Sequence, residues 1–325
     1  MKESIAVRVV QEIGKGSLMI TLPKNWAKKY GISKGSLLGI KEREDGSLII
    51  EPQIKQRRSS SVILDLDKCG EITSGIIGAY LLGFDTITLR RSRNLSVEDK
   101  EQARNILEKL LGLEIIEEKE NEITLKCFID ESFLNVLLLF KRMNSLVIEM
   151  IELSLRLLSK YEERLAKIVA KRDDELDRLY FLMIRILRSA VSNPSLSDSL
   201  GLKPVECLDY RIAAEILEKM GDLACQLADK IKNLNIKLEE RAVRSMINVL
   251  KEIHLENFLA FMSRRLDRML SARVLKSKAT SIFISMEKKF PSMREITGDL
   301  NKMIDLSEDL LDLVLPLELE LRETV

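Results

Sequence analysis

From residue 131 onward, apolar side chains recur at three- and four-residue steps for nearly two hundred positions. That period belongs to helices with one apolar face, and so many of them in succession must bury those faces against one another. Breaks fall at "SNPSLSDSLGLKP" (192–204), at "NLN" (233–235) and at "FPS" (290–292). The spacing predicts five or six long helices packed as a bundle over residues 131–325.

The first fifty residues follow a different rule. "SIAVRVVQEI", "SLMITL", "LLGIKER" and "SLIIEP" read as strands, with Asp45-Gly46 as a tight-hairpin signal between the last two. Pro23 ends the second strand because it cannot donate to a ladder, and it suits a helix start for "KNWAKKY". Gly31 then closes that short helix. A β-β-α-β-β unit this small buries little core alone. With no cysteine or histidine to staple it, a second copy of the chain is the expected remedy. Trp26, the sole tryptophan, is expected in the small core. Around it stand Lys24, Lys28, Lys29 and Lys34.

Charge sharpens the contrast. Residues 1–60 hold 12 basic and 6 acidic residues, while the rest of the chain carries a net −5, so a near-neutral total hides a basic head. Such a head suits an anionic partner. A polar linker, "QIKQRRS" (53–59), follows. Residues 60–130 read β-α-β-α-β-β, a small α/β domain whose second helix opens at Ser96 as cap, with Glu98 and Asp99 near its positive end. No glycine loop for phosphate is present.

Other classes recede. No apolar run reaches membrane-spanning length, and "MKESIAVRVV" lacks the apolar core of a signal peptide. Four dispersed cysteines without a C-x-x-C pair fit a reducing compartment, so a cytoplasmic location is expected. The single histidine, His254, argues against Ser-His-Asp catalysis and His-rich metal sites, and is read as structural.

Two acid pairs stand out. "RDDELDRLYFL" sets Asp173 and Asp177 four residues apart, and "ILEKMGDLACQLADKI" does the same for Glu218 and Asp222. Each pair shares a helix face, where like charges repel. The mid-helix Gly221 beside the second pair costs about 1 kcal/mol against alanine, a cost explained by close approach of a neighbouring helix. Four carboxylates from two facing helices would suit a hard cation, or an iron or manganese cluster. The plainer reading is a solvated acidic face neutralised by Arg172, Arg178 and Lys219.

"VRVVQEIGKGSLMITLPKNWAKKYGISKGSLLGI" with "DGSLIIEP" resembles the AbrB/SpoVT/MazE-type swapped-hairpin DNA-binding domain. The resemblance implies a dimeric β-barrel over residues 1–53, with Arg8, Lys15, Lys24, Lys28 and Lys29 facing DNA. "RDDELDRL" and "LEKMGD" resemble the D-x-x-x-D and E-x-x-x-D motifs of the PhoU family. That implies a pair of three-helix bundles over 131–325, with a divalent metal or iron cluster on Asp173, Asp177, Glu218 and Asp222. In the second repeat, "MSRRLDRM" has Ser263 where the first acid would stand and keeps Asp267. "LNKMID" has Asn301 for Glu and keeps Asp305. A second metal site is therefore not expected to be complete.

The whole reads as a multidomain α+β chain. It looks like an archaeal phosphate-uptake regulator: a homodimeric transcription regulator with a DNA-binding head and a helical body that senses or relays phosphate status. No catalytic chemistry and no membrane-embedded segment are expected. The alternative is an adaptor without DNA function, its body docking on phosphate transporter components or a regulatory kinase. A carboxylate-metal hydrolase is the third reading, disfavoured by the missing nucleophile.

Overall fold

The computed structural model describes residues 7–14, 16–42, 46–52, 60–234, 236–265 and 267–314. The chain divides into two compact units between Ser59 and Ser60.

The first unit contains β1 (Gln11–Ile13), β2 (Ser17–Met19), α1 (Lys24–Lys29), β3 (Leu38–Glu42) and β4 (Leu48–Pro52). β1 pairs antiparallel with β2, and β3 with β4, as two separate two-stranded sheets. The helix begins after Pro23, whose carbonyl accepts from Ala27 N–H at 2.9 Å. It ends at Gly31, whose φ of +65° supplies the left-handed step. The first strand is shorter than its alternating pattern predicts. Val7–Val10 lie outside it, because β2 offers a ladder for only three residues. Trp26 is half-buried and packs on Tyr30, ring centroids 5.6 Å apart. Asp45 of the expected turn and the linker 53–59 lie outside the described residues.

The second unit opens with β5 (Ser61–Asp65), the single-turn α2 (Leu66–Cys69), α3 (Ile72–Leu81), β6 (Thr86–Arg90), α4 (Val97–Leu107), β7 (Leu113–Glu118) and β8 (Glu122–Cys127). The sheet order is β5-β6-β8-β7, with β5 and β6 parallel and the rest antiparallel. Alternation places Ile87, Leu89, Ile123 and Leu125 on one face, buried with Ile76 and Tyr80 of α3 and Ala103 and Ile106 of α4. Ser96 caps α4 in a full capping box: its hydroxyl accepts from Asp99 N–H, and the Asp99 carboxylate accepts from Ser96 N–H.

The helices follow: α5 (Val136–Arg156), α6 (Glu163–Ser192), the short α7 (Pro194–Leu200), α8 (Pro204–Lys232), α9 (Glu240–Ser263), α10 (Asp267–Lys289) and α11 (Arg294–Asp309). α5, α6 and α8 pack on one another. α9 packs on α10 and α5, and α11 lies against α8 and α9. Phe140 of α5 joins three helices. Its ring meets Tyr210 of α8 edge-on at 5.3 Å, stacks on Phe258 of α9 at 5.3 Å, and lies 5.5 Å from Phe261. One helix boundary departs from the sequence pattern. Ser263 ends α9 and Asp267 begins α10, so these two positions do not share a helix. Between them Arg264 adopts φ 54°, a left-handed conformation costing about 1–2 kcal/mol for a non-glycine residue. An ion pair with Glu206 of α8 holds it there.

Residues 60–130 have their own sheet and apolar cluster, yet they form one compact unit with the helices. A stripe on α6, at steps of four, makes the join. Asp177 pairs with Lys109. Phe181 packs into the apolar cluster of 60–130. Arg185 donates to the carbonyls of Tyr80 (2.7 Å), Phe84 (3.0 Å) and Gly83 (3.2 Å). Ser189 lies so near Gly83 that a Cβ there would stand 2.8 Å from its Oγ, at a backbone φ of +83°.

Candidate functional site

Two places carry the residues singled out from the sequence. On the hairpin unit, Lys24, Lys28 and Lys29 are exposed on α1, with Lys24 and Lys28 one turn apart on the same side. Among the described residues no acidic side chain pairs with Lys24 or Lys28, and the Lys29 ammonium lies 5.5 Å from the Tyr30 ring centre. Arg8 is exposed and precedes β1 rather than lying in it. Its guanidinium donates to the Val7 carbonyl at 2.9 Å. Lys15 lies outside the described residues. No described residue of 7–52 is buried, and Val7, Val9, Leu18, Leu37, Ile40 and Leu48 are each more than half exposed.

In the helical body, α6 and α8 bring Asp173, Asp177, Glu218 and Asp222 near one another. Gly221 explains how the helices come so close. A Cβ on it would lie 2.4 Å from Leu176 Cδ2 and 3.4 Å from Asp173 Oδ1. The carboxylates perturb one another. Burial, then the charges of Asp177 and Asp222, push Asp173 up to about 6. Burial, then Asp222, Asp177 and Asp173, push Glu218 up to about 7. Asp222 is raised by burial and Asp177, with Lys109 opposing. The Cys225 thiol is itself raised by burial and by the neighbouring Asp173.

Mutual repulsion is not ligation. Among the described residues no three His, Cys, Asp or Glu side chains are placed to hold one metal ion. Repulsion acts over several ångströms, whereas ligation needs oxygens about 2.0–2.6 Å from a shared centre. Asp222 is exposed and also lines a groove of about 420 Å³ between α8 and α11, beside Lys219, Lys302, Asp305 and Asp309. The donor chemistry therefore suits a cation, but the placement does not fit one ligated by all four.

The three basic residues expected to neutralise the acids do not pair with them. Arg172 bridges Glu149 and Glu175, Arg178 donates to the Asp174 carbonyl, and Lys219 pairs with Glu215. Lys109, from the turn after α4, bonds Asp177 Oδ2 at 2.9 Å instead. Nothing in the local sequence marks it, because the contact joins positions 68 apart that only tertiary packing brings together.

His254 is buried in a polar network. Asn144 Oδ1 can only accept, so Nε2 carries the proton and donates to it at 2.8 Å. Nδ1 then accepts from the Ser307 hydroxyl at 2.9 Å, and Asn257 Nδ2 donates to the same hydroxyl at 3.1 Å. Burial pushes its pKa down to about 4, so the ring is neutral.

The chain thus joins a basic paired-hairpin unit to a body of packed helices with a group of carboxylates gathered on α6 and α8. Residues 140–231 match the family model described as PhoU domain. Residues 12–58 match that described as Antidote-toxin recognition MazE, bacterial antitoxin. This is the two-part architecture that the motifs imply. No curated protein and no solved structure matches the chain significantly. No described helix is long and apolar enough to cross a membrane.

Proposed function

We propose that this chain is a DNA-binding regulator of phosphate homeostasis. In this reading a second copy of the chain completes the hairpin unit as an interleaved β-barrel, and the helical body, as a pair of three-helix bundles, relays phosphate status to protein partners. The observation that carries the proposal is the state of the described residues of 7–52: two unjoined hairpins, none of these residues buried, and a row of exposed valines, leucines and isoleucines. An isolated two-stranded hairpin is marginal in water, and exposed apolar strands call for a pairing partner. A second copy supplies one of identical chemistry and sets two basic helices side by side.

On DNA, Lys24, Lys28 and Lys29, with Arg8 and Lys15, would contact phosphates. Such contacts release counterions and make binding steeply salt-dependent. All five residues in two copies amount to ten contacts and a log–log slope of about −9, of which Lys28 and Lys29 supply about −3.6, a share worth roughly a hundredfold loss of affinity between 50 and 200 mM salt. The reading needs no catalytic step and is compatible with a cytoplasmic protein.

The test is fluorescence anisotropy of the full chain on sheared genomic DNA across that salt range. The Lys28→Ala/Lys29→Ala protein should bind more weakly and lose about that share of the slope while keeping its helical circular dichroism. Wild-type affinity that ignores salt would overturn the electrostatic account. An adaptor without DNA function gives no salt-dependent binding at all.

A further inference from the structure

We infer that β5 is a pairing edge for a second copy of this chain: two β5 strands, antiparallel about a two-fold axis at Ile63, join the four-stranded sheets of two copies into one. β5 is an outer strand of the order β5-β6-β8-β7, and among the described residues no strand pairs with its outer side. Parallel pairing with β6 engages alternate residues of β5. The Ser60 carbonyl accepts from Asp85 N–H at 2.9 Å and from Thr86 N–H at 3.0 Å, so Ser60, Val62 and Leu64 turn their main chain toward β6. Ser61, Ile63 and Asp65 turn theirs outward.

The two edges of the sheet are built differently. β7 carries a bulge between Ile115 and Glu117, and the charges of Glu114, Glu117 and Glu118. Both devices blunt an edge against pairing. β5 has neither. Its one charged residue, Asp65, stands at its end and caps α2, accepting from Asp67 N–H. Ile63, at its centre, is 56 % exposed. The order of side chains then selects a second copy as the occupant. With the axis at Ile63, that residue meets its own counterpart, Val62 meets the other copy's Leu64, and Ser61 sets a hydroxyl opposite the other copy's Asp65. Val62 and Leu64 are half-buried at the border of the apolar cluster of 60–130, so this register runs two clusters into one. Moving the axis to Val62 would set Leu64 opposite Ser60 and Ile63 opposite Ser61, losing the apolar matches. The interface is isologous, the same strand serving both sides.

The inference goes beyond the DNA reading and needs neither nucleic acid nor the lysines of α1. One strand pair is a small interface, so residue-resolved amide hydrogen exchange on the full chain at high protein concentration tests it. The outward amides of Ser61 and Ile63 should exchange at least roughly tenfold more slowly in wild type than in Ile63→Lys, which places two like charges on the axis and leaves the bonds to β6 in place. Ile63→Cys should be joined to a second chain by a short bis-maleimide, because hydrogen-bonded antiparallel partners lie about 5.5 Å apart at Cα. Val97→Cys, 74 % exposed at the start of α4, should not be, nor should wild type with its native cysteines. The cross-link and the wild-type amide rates remain readable if Ile63→Lys folds poorly. Outward amides as fast in wild type as in Ile63→Lys, or no interchain product from Ile63→Cys beyond that of Val97→Cys, overturn the inference. Slow amides without the cross-link mean that something other than a second β5 covers the edge, and they overturn it too. DNA binding that ignores salt would leave all of these readouts unchanged, so failure of the DNA reading is told apart from failure of this one.

Discussion

Replacing Arg185 with methionine should uncouple residues 60–130 from the helices. The guanidinium is fully buried and pairs with Glu131, also fully buried, through Nε at 2.8 Å. It also lies over the Tyr80 ring at 4.9 Å and serves three carbonyls at the end of α3, where the helix dipole is negative. Removing one partner of a buried pair costs about 3–5 kcal/mol, because the other charge is left uncompensated. The three carbonyls lose charge-assisted donors worth about 1.5–3 kcal/mol each in isolation, but losses within one network overlap. A total of roughly 4–6 kcal/mol is expected, a large share of the ~5–15 kcal/mol that holds a typical domain together. Urea denaturation followed by circular dichroism at 222 nm reads it, since Trp26 lies in the other unit and reports on the wrong part of the chain. Adding Glu131→Gln to Arg185→Met should recover about 1–2 kcal/mol by removing the buried charge that Arg185 offset. A loss below about 1 kcal/mol for Arg185→Met, or a further loss on adding Glu131→Gln, would refute this account of the seat.

Gly221→Ala should destabilise the body by about 1–3 kcal/mol despite alanine's better helix propensity, because the new methyl meets Leu176 Cδ2; thermal melts decide it. His254 makes stability fall on acidification. Its folded pKa of about 4 lies below the ordinary 6.5, so the unfolded chain takes up the proton first, and about 3 kcal/mol present above pH 6.5 is lost as pH drops toward 4. The raised carboxyls of Asp173 and Glu218 act in the opposite sense, so the check is the difference between wild type and His254→Gln across pH 4–7. Asp99→Ala should cost about 2–3 kcal/mol in equilibrium urea unfolding, since one carboxylate both closes the capping box of α4 and holds Arg91 at 2.8 Å.

The candidate carboxylates and their spacing were legible along the chain, and Gly221 correctly signalled a close helix approach. The partners of the neighbouring cations were not. Arg172, Arg178 and Lys219 lie nearest in sequence but turn to Glu149 and Glu175, to a backbone carbonyl and to Glu215. A long flexible cation chooses its partner by three-dimensional reach, which local spacing does not encode.

Periodicity, caps and turn residues determined from the sequence alone that this chain has a short β-rich head, a four-stranded α/β region and five or six long helices. These signals act within a few residues of one another, so they can be read without knowing the fold. Tertiary structure alone decided that α9 stops at Ser263, where Arg264 reaches across to Glu206. It also decided that residues 60–130 lock onto α6 through Arg185, Ser189 and Lys109, and that four acids gather near one another without meeting at one point. Each of those outcomes rests on contacts between distant segments, whose energies depend on burial and distance that exist only once the helices have packed.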